Sequence, residues 1–223
     1  QGDADAQNNL GNMYRKGESV AEDDAEAVKW YRLAAEQGDA DAQNNLGNMY
    51  RKGEGVAEDN AEAVKWYQLA AEQGKSNAQS NLGVMYEKGN GVAQNYAEAV
   101  KWYRLAAEQG NVDAQYYLAL MYDFGEDVDQ DYAEAVKWYR QASNQSNADA
   151  QYNLGGMYVI GKGVRQDSVL AHMWYIISAA NGNENASKQI KDPPTFYATA
   201  AVISKAQKMA RECMNSNYQD CGW

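Results

Sequence analysis

Proline, cysteine and histidine are nearly missing from this 223-residue chain, which holds two, two and one of them. The two prolines are adjacent (Pro193, Pro194), so nothing before them breaks a run of helix. Two Cys and one distant His do not make a zinc set, and no metal or other cofactor is expected. The usual core residues are thin as well: Leu, Ile, Val and Phe together make up about 14% of the chain. Combined with a net charge of -11, that shortage ordinarily marks disorder. No apolar run approaches the ~20 residues of a membrane span, the longest lying around Tyr175–Ala180, so membrane insertion is not expected. Positive charge is scarce, with 20 Lys and Arg against 31 Asp and Glu, which argues against nucleic acid and anionic membranes as partners. The imbalance is confined to residues 1–150, since residues 151–223 carry 7 basic and 5 acidic side chains. The sequence opens at Gln1 rather than Met, as a processed or trimmed chain would, so the lack of a targeting segment excludes no destination.

What is abundant reverses the disorder reading. The chain contains 36 Ala, 17 Tyr and 6 Trp, a pairing of the strongest helix former with the largest buried rings. Shifting the sequence by 36 residues superposes it on itself five times. Ala6, Ala42, Ala78, Ala114 and Ala150 coincide, as do Tyr14, Tyr50, Tyr86, Tyr122 and Tyr158. Gly17, Gly53, Gly89, Gly125 and Gly161 follow, then Trp30, Trp66, Trp102, Trp138 and Trp174, each trailed by Tyr. Within a unit, Ala6, Leu10, Met13 and Tyr14 recur at helical spacing, Gly17 ends that helix, and Asp23 or Asp24 caps a second. Ala27, Val28, Tyr31, Ala34 and Ala35 form the second helix's apolar stripe. One helix pair cannot bury its own face, so stability must come from stacking neighbours.

These residues resemble the Sel-one-like repeat (SLR) family, relatives of the tetratricopeptide repeats. The motif Ala-x-x-x-Leu-Gly-x-x-Tyr-x-x-Gly-x-Gly-Val, then Ala-x-x-Trp-Tyr-x-x-Ala-Ala-x-x-Gly, stands nearly complete at Ala42–Gly74. The resemblance covers five units (about 2–37, 38–73, 74–109, 110–145 and 146–182), with Ala119, Asp127 and Ser146 as departures from the motif glycines. It implies an all-α, right-handed α/α superhelical solenoid of five helix pairs plus a C-terminal capping helix. It also implies a bacterial, often periplasmic or secreted, adaptor. Some cysteine-rich relatives are described as β-lactamases, but the paired cysteines of those repeats are absent here.

Residues 183–223 read as an atypical sixth unit and cap. Ala186 and Ile190 keep the first-helix phase, Pro193-Pro194 cut it short, and Thr195 is placed to cap a final helix running to about Asn215. The N-terminus begins on a consensus unit with no cap, as it would if earlier repeats preceded it. Cys213 and Cys221 fit either a disulfide tying the tail to this helix or two unrelated thiols. A Cys near the end of a polar tail favours the bridge, which implies an oxidising compartment.

Candidates for chemistry fare poorly. His172 takes the place of Val28, Val64, Val100 and Val136, so a hydrogen-bonded core histidine is expected rather than a catalytic base. Asp127, Asp129 and Asp131 start like a calcium loop, but Tyr132 and Trp138 occupy its sixth and twelfth positions, where Gly and Glu are needed. The Gly-x-Gly-Val loops lack the Lys-Ser/Thr of a phosphate cradle and follow a helix.

A non-enzymatic scaffold binding a protein or peptide is therefore expected. Binding of cell-envelope polysaccharide or peptidoglycan is the alternative, and a β-lactamase-like hydrolase a remote one. At 100° per residue, positions 8, 12 and 16 lie opposite the apolar side of the first helix, on the face the resemblance assigns to the concave groove. That row is mostly polar in three units (Asn8, Asn12, Lys16; Asn44, Asn48, Lys52; Ser80, Val84, Lys88). It becomes Tyr116, Leu120, Phe124 and then Tyr152, Gly156, Ile160. The binding residues expected are Asn44, Asn48, Lys52, Ser80, Lys88, Tyr116, Leu120, Phe124, Tyr152 and Ile160. The apolar end is either a ligand site or is covered by the cap or a second copy.

Overall fold

The computed structural model describes residues 2–125, 128–192, 199–219 and 221. Among them are twelve α-helices and no strand. Ten are 13-residue helices in five pairs: α1 (Ala4–Lys16) and α2 (Asp24–Glu36), α3 (Ala40–Lys52) and α4 (Asn60–Glu72), α5 (Ser76–Lys88) and α6 (Tyr96–Glu108), α7 (Val112–Phe124) and α8 (Tyr132–Asn144), α9 (Ala148–Ile160) and α10 (Ser168–Ala180). The short α11 (Glu184–Lys191) and the longer α12 (Ala200–Asn215) close the chain. The pairs fall into two compact units, residues 1–111 and 112–223. The fold is an all-α solenoid, as the repeat register predicts.

Local chemistry sets the helix ends. Asp23 and Asp59 accept from the backbone N–H of Glu26 and Glu62, both at 2.9 Å, and so start α2 and α4. Gly17 closes α1 in the left-handed conformation, its N–H on the Met13 carbonyl. Gly55 shows a second demand. It sits at φ +66, and a Cβ there would overlap the Asp24 carbonyl of the preceding pair. Ser19, at the equivalent place in the first repeat, keeps the positive φ (65).

In unit 1 the core forms between one pair's second helix and the next pair's first helix. Ala27, Val28, Tyr31, Ala34 and Ala35 of α2 pack with Ala42, Leu46 and Met49 of α3, and α4 and α5 repeat the arrangement. This explains why Ala6 is exposed and Leu10 only half-buried in α1, although both belong to the apolar face. Gly47 lets Tyr67 lie flat on α3, since a Cβ would be 2.7 Å from the ring. Buried glutamines tie successive pairs together. Gln43 donates to the Ala35 carbonyl at 3.1 Å and accepts from Gln73 at 2.8 Å, while Gln79 bonds Ala71 and Gln109 in the same way.

Unit 2 repeats this scheme and adds the cap. α12 buries Ala206, Ala210 and Cys213 and packs on α10. It starts at Ala200 with Thr199 as its cap, a later start than the expected Thr195, which lies outside the described residues with Pro193 and Pro194. Cys213 and Cys221 form a disulfide and both are buried. The Tyr218 N–H bonds the Cys213 carbonyl at 2.9 Å, and its hydroxyl accepts from Asn181 at 2.9 Å, so the tail is fastened to the end of α10. His172 is 2% exposed, as expected for the stripe. Among the described residues its Nδ1 has no hydrogen-bond partner, contrary to the expected hydrogen-bonded ring. Burial holds its pKa below the usual value, which keeps the ring neutral in a position otherwise filled by Val.

Candidate functional site

The row predicted to bind is graded in depth along each first helix of unit 1. At its upper end Asn8, Asn44 and Ser80 are buried. Asn8 and Asn44 accept from Asn45 and Asn81 at 3.1 and 3.0 Å, so these amides link one first helix to the next. In mid-row Asn12 and Asn48 are half-buried and accept from the hydroxyls of Tyr31 and Tyr67 at 2.9 and 2.8 Å. At the lower end Lys16, Lys52 and Lys88 are exposed. Lys16 and Lys52 pair with Glu18 (3.5 Å) and Glu54 (3.3 Å) two residues on.

Sequence projection missed the neighbouring row, at positions 15, 51 and 87. Arg51 donates through Nε to the Tyr67 hydroxyl at 3.2 Å, and Arg15 lies against Tyr31 with its own Nε buried and without a partner among the described residues. Burial raises the pKa of Tyr31 and Tyr67 and the guanidinium beside each opposes the rise, so both stay neutral phenols. Among the described residues neither arginine has a carboxylate partner. In the third repeat the row changes sign, and Glu87 accepts from the Tyr103 hydroxyl at 2.5 Å. The signal was legible only as residue chemistry (Arg, Arg, Glu, Asp, Val at a fixed register), with no repeated letter to mark it.

In unit 2 the equivalent row is apolar and partly open. Tyr116 is half-buried, its ring 5.6 Å from Tyr117 and 6.3 Å from Tyr139. Leu120 is half-buried beside it in α7. Tyr152 is half-buried against Tyr175, with centroids 5.4 Å apart. Phe124 and Ile160 stand 65% and 58% exposed. Phe124, Tyr152 and Ile160 share one open groove of about 320 Å³, with Gly156 and Tyr175 along it and Asp123 and Lys162 at its polar margins. Asp123 accepts from Tyr139 at 3.2 Å, and burial with this anion holds the Tyr139 phenol well above its usual pKa. α12 packs on α10 and leaves Phe124 and Ile160 uncovered. Of the ten predicted residues, the structure brings three together in this groove. It keeps Tyr116 and Leu120 half-buried on α7, and in unit 1 Asn44, Asn48 and Ser80 are set inward while Lys52 and Lys88 stay out in solvent.

No group of three or more His, Cys, Asp or Glu among the described residues is placed to hold a metal ion. Asp131, at the false calcium loop, caps α8 through the N–H groups of Ala133 and Glu134. No described helix is long and apolar enough to cross a membrane.

Sel1 repeat matches run consecutively over residues 4–39, 40–75, 76–111, 112–147 and 148–183. The chain belongs to the Sel1 repeat family. Among solved structures, this Sel1 repeat chain is similar to a protective antigen of uropathogenic Escherichia coli that displays an SLR fold. The two are 38% identical with a TM-score of 0.83 over 98% of this chain, which spans 47% of the antigen's length. A Sel1 repeat protein from Oxalobacter formigenes is 36% identical with a TM-score of 0.81, covering 96% of this chain and 87% of its own. An immunity protein from Pseudomonas aeruginosa, at 23% identity and a TM-score of 0.54 over 99% of this chain and 84% of its own, shares the fold. No curated protein matches the chain. Sel1 repeat proteins in general mediate protein–protein interaction, and their solenoid is in general a non-catalytic scaffold.

Proposed function

We propose that this Sel1 repeat chain is a non-enzymatic scaffold that binds a protein segment through its first-helix faces, with an apolar anchor point in unit 2. One observation carries the reading: Phe124 and Ile160 stand exposed at one groove whose floor holds the Tyr152–Tyr175 pair. Large apolar side chains held in solvent beside a shaped apolar floor are what a partner's buried side chain needs. A polysaccharide reading calls for flat exposed rings, whereas half of this exposed pair is aliphatic, which favours a peptide. The Cys213–Cys221 disulfide supports an oxidising, extracytoplasmic compartment.

The test is a peptide-display selection on the wild-type chain, followed by affinity measurement on Phe124→Ala with Ile160→Ala. Selected ligands should carry a large apolar anchor and lose at least tenfold in affinity to the double variant. Ligands that bind both proteins equally would place the contact elsewhere.

A further inference from the structure

We infer that Gly156 in α9 is an open seat for an aromatic side chain of a partner segment, whose ring lies flat on the helix backbone between Tyr152 and Ile160. The inference rests on the reading that this groove binds protein, and it names the side chain that the groove selects.

The chain itself shows what a glycine inside a first helix does. At Gly11, Gly47, Gly83 and Gly155 an added Cβ would come within 2.6–2.8 Å of a tyrosine ring from the paired second helix. Tyr31, Tyr67, Tyr103 and Tyr175 take the space those side chains would need. A tyrosine ring is thus what this fold lays on bare first-helix backbone. Gly156 differs from all four. Among the described residues the only atom within 4 Å of an added Cβ there is the Tyr175 hydroxyl oxygen, at 3.8 Å, an ordinary contact. No neighbour demands a glycine, although glycine inside a helix is less stable than alanine. The other four first helices carry a side chain at this register: Asn12, Asn48, Val84 and Leu120. Only α9 leaves the place bare.

Its surroundings give the seat a shape. Tyr152 and Ile160 lie four residues before and after Gly156, and so on the same face of α9. At 1.5 Å per residue they are about 12 Å apart along the axis, with only backbone between them on that face. Phe124 of α7 borders the same groove. At about 320 Å³ the groove lies at the low end of the roughly 300–1,000 Å³ of small-ligand pockets, a size for one side chain rather than a helix. Aromatic walls favour a ring over an aliphatic anchor. The Tyr152 and Tyr175 rings are tilted at 43° with centroids 5.4 Å apart, and a third ring in the seat extends that pairing beyond what area burial alone gives. The missing Cβ is what lets a flat ring come close.

The test is an NMR titration of the isotope-labelled chain with two capped tripeptides, glycine-tyrosine-glycine and glycine-leucine-glycine. The tyrosine peptide should bind at least threefold tighter than the leucine one. It should also move the Gly156 α-protons upfield, the ring-current mark of a ring stacked over them. Gly156→Ala should weaken its binding several-fold, and Gly156→Leu, which puts the α7 side chain in the seat, at least tenfold. The melting temperature should meanwhile rise in Gly156→Ala, because alanine is the better helix former. Misfolding does not combine a gain in stability with a loss of binding. Val84→Ala, at the same register in unit 1, should leave binding within twofold. A leucine peptide that binds as tightly, a Gly156→Leu chain that binds as before, or shifts centred away from Gly156 would each overturn the seat. So would a soluble peptidoglycan fragment that moves the Gly156 signals where the tyrosine peptide does not. Phe124→Ala with Ile160→Ala separates this inference from the reading beneath it. If the two peptides bind equally and both weaken in that variant, the groove stands and the seat falls. If the tyrosine peptide responds to Gly156→Leu but not to the double truncation, the seat stands and the anchor role of Phe124 and Ile160 falls.

Discussion

The same first-helix positions do opposite work in the two units. In unit 1, Asn44 and Ser80 are buried and the Asn44 amide links α3 to α5. In unit 2, the equivalent places hold Tyr116 and Tyr152, whose rings pack on Tyr139 and Tyr175, and the row runs out into exposed Phe124 and Ile160. The shared core does not change with them. Tyr31, Tyr67, Tyr103 and Tyr139 are all fully buried, each in a bed of alanines. Core burial therefore follows the register that repeats, and the register that does not repeat decides which first-helix side chains stay open. That division can be broken experimentally.

The largest effect should come from the shared core. Leu82→Ala or Tyr67→Ala should destabilise unit 1 by about 2–5 kcal/mol, because each empties a fully buried site between two helix pairs. Tyr139→Ala should cost unit 2 as much. Chemical denaturation checks this, and a value under 1 kcal/mol at either site would place stability elsewhere.

Next comes the disulfide. Reducing Cys213–Cys221 should cost on the order of 2–3 kcal/mol, the scale for a short closed loop. The loss should fall on unit 2, where Tyr218 and α12 are tied to α10, and hydrogen exchange should show α1 to α4 unaffected. An intact mass that does not rise by two hydrogens on reduction would show that the bridge is not present in solution.

A smaller effect is pH dependent and again distinguishes the units. His172 is the chain's only histidine and burial depresses its pKa. As pH falls below about 6.5, the ordinary histidine value, the unfolded chain takes up a proton that the folded one refuses. The stability from keeping this ring neutral is thus present above that pH and lost as pH falls toward the lowered folded value. His172→Val, which restores the residue of the other four repeats, should flatten the dependence between pH 7 and 5. Melting curves across that range would show it, and an unchanged slope would remove His172 from the account.

The sequence reveals much of the fold, because five copies of one register average out local ambiguity. Gly17 at a helix end is read from residue type alone, and a helix start is narrowed to Asp23 or Asp24, of which the structure uses Asp23. The site is less legible. A helical projection knows one apolar side, whereas α3 has neighbours on more than one side, so Asn44 turns out to face another first helix rather than solvent. The Gln43–Gln73 and Gln79–Gln109 bonds join residues 30 apart, beyond the reach of any local pattern. Arg15 and Arg51 were hidden because their register changes letter in the third repeat. Thr199 rather than Thr195 caps α12 because no repeat copy exists there to fix the phase.

The smallest effect on stability should be the most informative about binding. Tyr116 and Phe124 lie two turns apart on α7, and the sequence treats them as one apolar row. The structure separates them. Tyr116 is half-buried with its ring near Tyr117 and Tyr139, so Tyr116→Ala should lower the stability of unit 2 by about 1–3 kcal/mol, within the range for losing a partly buried ring. Phe124 and Ile160 are mostly in solvent, and truncating both should move stability by less than about 0.5 kcal/mol. If apolar exposure there serves a partner, the double truncation removes binding while the melting temperature stays in place. A melting temperature that drops as far for Phe124→Ala with Ile160→Ala as for Tyr116→Ala would mean that these side chains are covered in solution, by a second copy of the chain or by their own unit. Analytical ultracentrifugation of the double variant then decides between those two covers, since only the first changes the mass.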